Sequence, residues 1–469
     1  MSPELMSIAV LAIAFAVATL LSINMGVLAF AAAFLVGRLV GGLSEDDIFA
    51  GFPGDLFVVL VGVTYLFAIA RANGTTDWLV HRAVRLVGGR IALIPWMMFG
   101  IGALLTAIGA VSPAACAIVA PIALGLAARY RINPLLMGTM VVHGTQAGSF
   151  SPISIYGTIV NGVVDKYHLP GSPLVLFLGS LVVNTLIAGV VFVLLGGLRL
   201  ARAGRSTAAE IRDREMSSAG AVSLGGAGGT QGRAGGPGGV IPARSEVEGA
   251  DAAIEAAEDS DAAVREPEAV TLDRDRGLTL LGLAALAVST LAFDLNVGLV
   301  AITVAVVLSV ISPKAGRKAP SEVAWPTVLL ICGVLTYVGV LEEMGTIDYA
   351  GKAVAGVGIP LLAALLLCYI GAIVSAFASS TALMGALIPL SVPFLLQGSI
   401  GAIGMVTALA VSATVVDVSP FSTNGAIVMA NAKGVDREVF YRRLLAYGGV
   451  IVAVVPLAMW LAFVVPNLG

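Results

Sequence analysis

Two Ser-Pro steps stand inside strongly apolar runs: Ser151-Pro152 opens SPISIYGTIV (151–160), and Ser419-Pro420 opens SPFSTNGAIV (419–428). Six of the ten positions are identical. Chance would give about one at ordinary residue frequencies, so the chain repeats a polar segment. Proline cannot continue a helix through itself without losing a hydrogen bond, yet it suits the first helical turn, and a preceding serine is a favoured N-cap. Each step is therefore expected to end one half-helix and begin another. The start of a half-helix offers N–H groups and the positive end of the helix dipole, which suit an anion. The end of the preceding half-helix offers carbonyl oxygens, which suit a small cation.

Two further breaks interrupt apolar runs, and three of the four contain Ser-Pro. Ala110-Val111-Ser112-Pro113-Ala114 interrupts one apolar run, and its counterpart reads Ala378-Ser379-Ser380-Thr381-Ala382. The two broken helices read Gly148-Ser149-Phe150-Ser151-Pro152 and Asp417-Val418-Ser419-Pro420-Phe421. No break contains Lys or Arg, so an anion would have to be held by backbone N–H groups, hydroxyls and bound cations. The candidate anion-binding residues are Ser112, Pro113, Ala114, Ser151, Pro152, Ser154, Ser379, Ser380, Thr381, Ser419, Pro420, Ser422, Thr423 and Asn424. The candidate cation ligands are Ser112, Gly148, Ser149, Ser380 and Asp417. Ionisable groups inside membrane segments are functional candidates. Asp417, the acid at a break, stands where the first copy has Ser149; it and His143 are the proton-carrier candidates, with a neutral, hydrogen-bonded structural role the plainer reading of His143. Cys116, Cys332 and Cys368 are scattered through apolar runs without metal or disulfide spacing, and no metal site beyond one for Na⁺ is expected. The Gly-rich stretch GGAGGTQGRAGGPGGV lacks the Gly-Lys-Ser/Thr ending of a phosphate loop. ATP is therefore not expected as a partner, and no enzymatic motif stands out.

The elements that must carry these breaks are membrane helices. The 469 residues are 58% hydrophobic and 12% charged, half the charge of a soluble domain at about 25%. Net charge −3 gives no footprint for nucleic acid. Apolar segments fall near 4–22, 25–43, 55–71, 91–131, 134–165 and 172–198, then near 277–293, 296–312, 325–343, 359–396, 400–430 and 444–466. Ser112 and Pro121 align with Ser380 and Pro389 at the offset that joins Ser151 to Ser419. The organisation expected is an all-α polytopic membrane protein of two repeats. Residues 1–198 hold a hairpin at 91–131 and a broken helix at 134–165; residues 276–469 hold a hairpin at 359–396 and a broken helix at 400–430. The intervening 199–275, rich in Gly, Ala, Ser and charge, is expected to be a disordered linker. MSPELMSIAV has no Lys or Arg before its apolar stretch, so a retained first helix is expected rather than a signal peptide.

Orientation follows from charge, since cytoplasmic flanks carry excess Lys and Arg. Arg71, Arg82, Arg85, Arg90, Arg129, Arg131, Arg199, Arg202 and Arg205 share one side if 91–131 enters and leaves on the same face. Lys314, Arg317, Lys318, Lys433, Arg437, Arg442 and Arg443 then join them, while Glu45, Asp46, Asp47, Asp55, Glu342, Glu343 and Asp348 fall outside. Each repeat has five spanning segments plus one re-entrant hairpin. That odd number inverts the second copy, with both termini external and the linker cytoplasmic. Counting each hairpin as two full spans leaves the charges on the same faces.

On these residues the chain resembles the ion transporter superfamily that includes the divalent anion:sodium symporters, and its first half is most similar to MatC-type malonate/dicarboxylate carriers. The resemblance covers both halves and excludes the linker. It implies a secondary transporter of the bacterial cell membrane that imports a small dicarboxylate by Na⁺- or H⁺-coupled symport. It also implies a homodimer and an elevator mechanism, in which a mobile domain with two opposed hairpins moves against a scaffold. Symporters of this type carry Ser-Asn-Thr at both hairpin tips. The tips here read Ser112-Pro113-Ala114 and Ser379-Ser380-Thr381, without Asn. A cation/proton antiporter on the same scaffold and a non-transporting membrane scaffold or receptor are the alternative readings.

Overall fold

The computed structural model describes residues 2–21, 23–86, 90–202, 272–293, 295–347, 349, 360–377, 387–388, 391–392, 395, 400–432 and 434–468. Among them the chain is all-helical. The helices of the N-terminal part are α1 (Pro3–Leu21), α2 (Met25–Leu39), α3 (Glu45–Ala50), α4 (Gly54–Ala72), α5 (Thr75–Leu86), α6 (Leu93–Ala107), α7 (Ser112–Arg129), α8 (Pro134–Ala147), α9 (Ile155–Lys166), α10 (Pro173–Leu194) and α11 (Gly197–Arg202). The C-terminal part holds α12 (Arg274–Phe293), α13 (Val297–Ile311), α14 (Pro313–Lys318), α15 (Trp325–Glu343), α16 (Pro360–Phe377), α17 (Ala402–Val415), α18 (Thr423–Asn431) and α19 (Arg437–Met459). Six stretches among the described residues are long and apolar enough to cross a membrane: α4, α7, α10, α15, the α17–α18 pair, and α19 with its π-helical extension to Val464. The second hairpin tip, with Ser379, Ser380 and Thr381, and most of the expected linker lie outside the described residues. So do Asp348, Pro389 and Lys433.

Short polar loops set the helix starts. The side chains of Asn24, Asn133 and Asn296 accept from the first-turn amides of α2, α8 and α13, and Ser172 does the same for α10. Two features depart from the apolar runs. The basic connection after α4 contains a helix, α5, whose sequence includes Asp77, Arg82 and Arg85. The last long helix begins at Arg437 rather than near 444, because Asp436 accepts from the amides of Glu438 and Val439 and Glu438 pairs with Arg442 at 2.7 Å. Arg437, Arg442 and Arg443 therefore ride on the first turns of a helix.

Two groups of helices result. In one, α2 crosses α15 and α4 crosses α13 backbone to backbone. A Cβ on Gly26 would lie 2.0 Å from the Leu329 carbonyl oxygen, and one on Gly62 would lie 2.6 Å from that of Gly298. Small residues at helix crossings let backbones meet this closely in a membrane, where packing replaces the hydrophobic drive. Polar ties close this group: Tyr337 donates to the Ser7 carbonyl at 2.7 Å, and Arg71 pairs with Glu322 at 2.7 Å. In the other group α8 is surrounded by α6, α7 and α10, and α17 by α16, α10 and α19. This second group holds the described breaks.

Candidate functional site

The first broken helix is α8–α9. Its break, residues 148–154, follows two consecutive tight turns, with Ser151 N–H donating to the Gly148 carbonyl (3.1 Å) and Ser154 N–H to that of Ser151 (2.9 Å). The second break repeats them: Ser419 N–H donates to Val416 and Ser422 N–H to Ser419, both at 3.0 Å. This moves the helix starts. Ser151 and Ser419, expected from the Ser-Pro steps to cap the second half-helices, lie one turn too early. The caps are Ser154, whose Oγ accepts from Gly157 N–H at 3.2 Å, and Ser422, whose Oγ accepts from Gly425 N–H at 3.3 Å. The Ser154 hydroxyl proton is shared between the carbonyls of Ser149 (2.5 Å) and Ser151 (2.7 Å). Ser422 does the same to Asp417 (2.5 Å) and Ser419 (2.7 Å). A Cβ on Gly157 would lie 2.0 Å from the Ser151 carbonyl oxygen, and one on Gly425 1.9 Å from that of Ser419. Only glycine allows these close approaches.

Several candidate hydroxyls serve the breaks themselves. Ser149 Oγ donates to the Thr145 carbonyl, and Ser151 Oγ donates to the Ala107 carbonyl at 2.5 Å, which pins the end of α6 to the break. Ser419 Oγ accepts from Phe421 N–H at 3.3 Å. Gly148 packs on α6, where a Cβ would lie 1.9 Å from the Ala103 carbonyl oxygen. Pro113 and Ala114 form the first turn of α7, Pro152 and Pro420 lie within the breaks, and Thr423 is the first residue of α18.

Ser112, Asn424 and Asp417 are brought together, with two residues the sequence left unassigned, Thr145 and Gln146. Ser112 is the first residue of α7, so its hydroxyl is free to turn toward the break. It accepts from Asn424 Nδ2 at 2.9 Å and donates to Thr145 Oγ1 at 3.1 Å, and Thr145 passes its own proton to the Val142 carbonyl at 2.9 Å. Gln146 Nε2 donates to Asp417 Oδ2 at 2.8 Å, and Asn424 Nδ2 approaches the same oxygen at 3.5 Å. Cys116, read from the sequence as a small apolar residue, sits beside them with Sγ 3.8 Å from the Asn424 carbonyl oxygen. All six side chains are buried, Asp417 at 4% exposure. Gln146 Oε1 and Asn424 Oδ1 are buried without a hydrogen-bond partner among the described residues. An ionised carboxylate accepts only, so the two amides turn N–H toward Asp417 and leave both carbonyl oxygens pointing elsewhere. The result is a buried cluster in which the two amides face the Asp417 carboxyl through N–H groups and keep two carbonyl oxygens without a hydrogen-bond partner. Gln146 had one signal in the sequence: an amide in an apolar run, one helical turn before Ser149.

His143 lies one turn before Gln146 and is fully buried. Its Nδ1 is 3.0 Å from Asn184 Oδ1 and its Nε2 is 2.6 Å from the Tyr447 hydroxyl.

No curated protein matches the chain. Among solved structures, that of the Alcanivorax borkumensis YdaH transporter, whose published description reports an unusual topology, is similar over 98% of both chains, with TM-score 0.55 and 14% identity. At that identity the likeness is one of fold. Residues 1–149 match the family model described as dicarboxylate carrier protein MatC N-terminus. The first third of the chain thus matches a carrier family model, and the whole chain shares its fold with a solved transporter.

Proposed function

We propose that the protein is a secondary carrier that moves a small dicarboxylate, of malonate or succinate size, across the cell membrane together with a monovalent cation. One observation carries the cation: Gln146 and Asn424 hold their amide N–H groups to Asp417 and leave two buried carbonyl oxygens unpartnered beside it. Leaving such groups unpaired costs roughly 1–3 kcal/mol each. A desolvated Na⁺ repays that cost, since oxygen ligands and a carboxylate suit a hard cation. The substrate class is supported by the family description matched at residues 1–149. The described breaks lack Lys and Arg, so the dianion would be held by the starts of α7, α9 and α18 and by the bound cation.

The division into two helix groups supports an elevator, the group with the breaks moving against the α2–α15 and α4–α13 scaffold. Ser112, at the α6–α7 turn, touches the middle of the broken helices. Each half-helix of α8–α9 is roughly 20 Å long, so a tip at that depth favours a re-entrant hairpin over two full spans. Symport into the cell, a homodimer, external termini and a cytoplasmic linker complete this reading. A second reading gives Asp417 a proton instead of Na⁺, because a protonated carboxyl could donate to Gln146 Oε1 once the amide turns over. Uptake of labelled malonate and succinate into proteoliposomes tests the proposal under an inward Na⁺ gradient, an imposed pH gradient, or neither. Uptake driven by the Na⁺ gradient is expected. Cation–proton exchange without dicarboxylate uptake would replace the proposal with an antiporter, and no flux of either kind would leave a scaffold or receptor.

A further inference from the structure

A chain of hydrogen bonds runs from Asp417 to Tyr447, and packing of the neighbouring Gly448 brings it back to the second break. Asn184 Nδ2 donates to the Ser180 carbonyl at 2.9 Å, so its Oδ1 faces His143 as an acceptor. His143 must then carry its proton on Nδ1, and its Nε2 accepts from the Tyr447 hydroxyl. Ser180 Oγ donates to the Gln146 carbonyl at 3.0 Å. Next to Tyr447 on α19, Gly448 lies against the second break, where a Cβ would stand 3.3 Å from Ser419 Cα. The path runs from Asp417 to Gln146, Ser180, Asn184, His143, Tyr447 and back through Ser419. It joins α8 and α10 of one half to α19 and the break of the other.

Helix packing alone does not require this. At the offset relating the two broken helices, the residue of α17 equivalent to His143 is Val411, also fully buried. An apolar side chain serves that place in the second copy, whereas the first copy spends a histidine, an asparagine and a tyrosine hydroxyl. Buried polar groups of this kind are costly unless fully paired, and when paired they fix one arrangement.

We infer that His143, held as its Nδ1–H tautomer between Asn184 and Tyr447, is a positioning residue for the Asp417 cluster. It fixes the end of α8 against α10 and α19 so that the Gln146 amide meets Asp417. His143 touches neither Asp417 nor the unpartnered carbonyls; it acts through Gln146. The cation arm of the test rests on the proposed coupling, and the structural arm does not.

The variants are Tyr447→Phe, which removes one hydroxyl from a partly exposed residue, His143→Leu, and His143→Gln, which keeps a donor and an acceptor. For each, the Na⁺ concentration giving half-maximal stimulation of uptake is measured, together with the maximal rate. In parallel, the purified full chain is alkylated with N-ethylmaleimide and the modification of Cys116, beside Asn424, is followed by mass spectrometry against Cys332 and Cys368. Tyr447→Phe should raise the half-saturating Na⁺ about threefold to tenfold, the scale of one lost hydrogen bond between neutral groups, with the rate at saturating Na⁺ retained. His143→Leu should go further, and His143→Gln should return toward the parent. Cys116 alkylation should quicken in the same order while Cys332 and Cys368 stay slow. A parent without Na⁺ stimulation would overturn the proposed coupling and leave the Cys116 order to decide the inference. Parent-like Cys116 reactivity in Tyr447→Phe and His143→Leu would overturn the positioning role. So would a Tyr447→Phe protein whose Na⁺ response equals that of a Na⁺-stimulated parent.

Discussion

Gln146 and Asp417 come from opposite halves of the chain and meet side chain to side chain, Nε2 to Oδ2, at 2.8 Å. The contact makes the cluster a joint product of the two broken helices: the second supplies Asp417 and Asn424, and the first supplies Gln146. It also fixes which end of each amide is left over. Gln146→Leu keeps approximate volume and removes both the donor to Asp417 and one unpartnered oxygen. Hydrogen bonds to charged groups contribute about 1.5–3 kcal/mol, so the half-saturating Na⁺ should rise by about tenfold or more. Dicarboxylate affinity measured at saturating Na⁺ should change much less. Equal loss of both affinities would mean that Gln146 serves the substrate directly.

The apolar runs made the membrane helices legible, and the Ser-Pro steps marked where two of them break. The exact caps were not legible. Ser-Pro is as good a cap as Ser-Ile or Ser-Thr by local preference, and the close approach of Gly157 and Gly425 to the Ser151 and Ser419 carbonyls decides for Ser154 and Ser422. Ser112, Asp417 and Asn424 could be singled out as polar residues at interruptions. Thr145, Asn184 and Tyr447 could not, because each looks like an ordinary polar residue in a helix until the opposite half is packed against it, and Gln146 offered only an amide in an apolar run. Helix α5 was hidden for the opposite reason: its charged residues read as a connection, although they alternate with apolar ones at helical spacing.

The caps give a test that separates architecture from binding. Ser154→Ala and Ser422→Ala each remove the acceptor for a glycine amide and the donor to two carbonyls. Loss of an N-cap costs about 0.5–2 kcal/mol. Both variants should lower the thermal midpoint of the purified protein by similar amounts, because the two caps make the same bonds. Gly157→Ala and Gly425→Ala should be far worse and fail to accumulate in the membrane, since the added Cβ meets backbone rather than a movable side chain. A fully active, normally abundant Gly425→Ala protein would contradict this account of the break.

Orientation has a direct readout. On the proposed orientation, argued from the basic residues, 199–275 is cytoplasmic and both termini are outside. Cys116, Cys332 and Cys368 are all buried, which gives a low background for thiol labelling. A cysteine introduced into the linker should resist a membrane-impermeant maleimide in intact cells and react after permeabilisation. One placed at Ser2 should react without permeabilisation. The reverse pattern would turn the whole protein over in the membrane and put the Arg71–Glu322 pair outside.

Asp417 separates the two candidate coupling ions. Its equivalent in the first break is Ser149, which cannot ionise and donates within its own helix turn. On the proposed coupling the two breaks would bind cations unequally, and Asp417 would decide which ion is coupled. If Asp417 ligates Na⁺, Asp417→Asn keeps the shape of the cluster but removes its negative charge. Na⁺ stimulation should then fall by more than the tenfold expected for Gln146→Leu, and residual uptake should stay insensitive to pH. If Asp417 carries a proton, the same variant should lose uptake driven by a pH gradient and keep exchange of internal for external dicarboxylate. Exchange requires the loaded carrier to move but no net release of a proton. The two unpartnered carbonyl oxygens favour Na⁺, because a proton on Asp417 could satisfy one amide only by turning it over. A parent protein that ignores Na⁺ and follows an imposed pH gradient would reverse that preference.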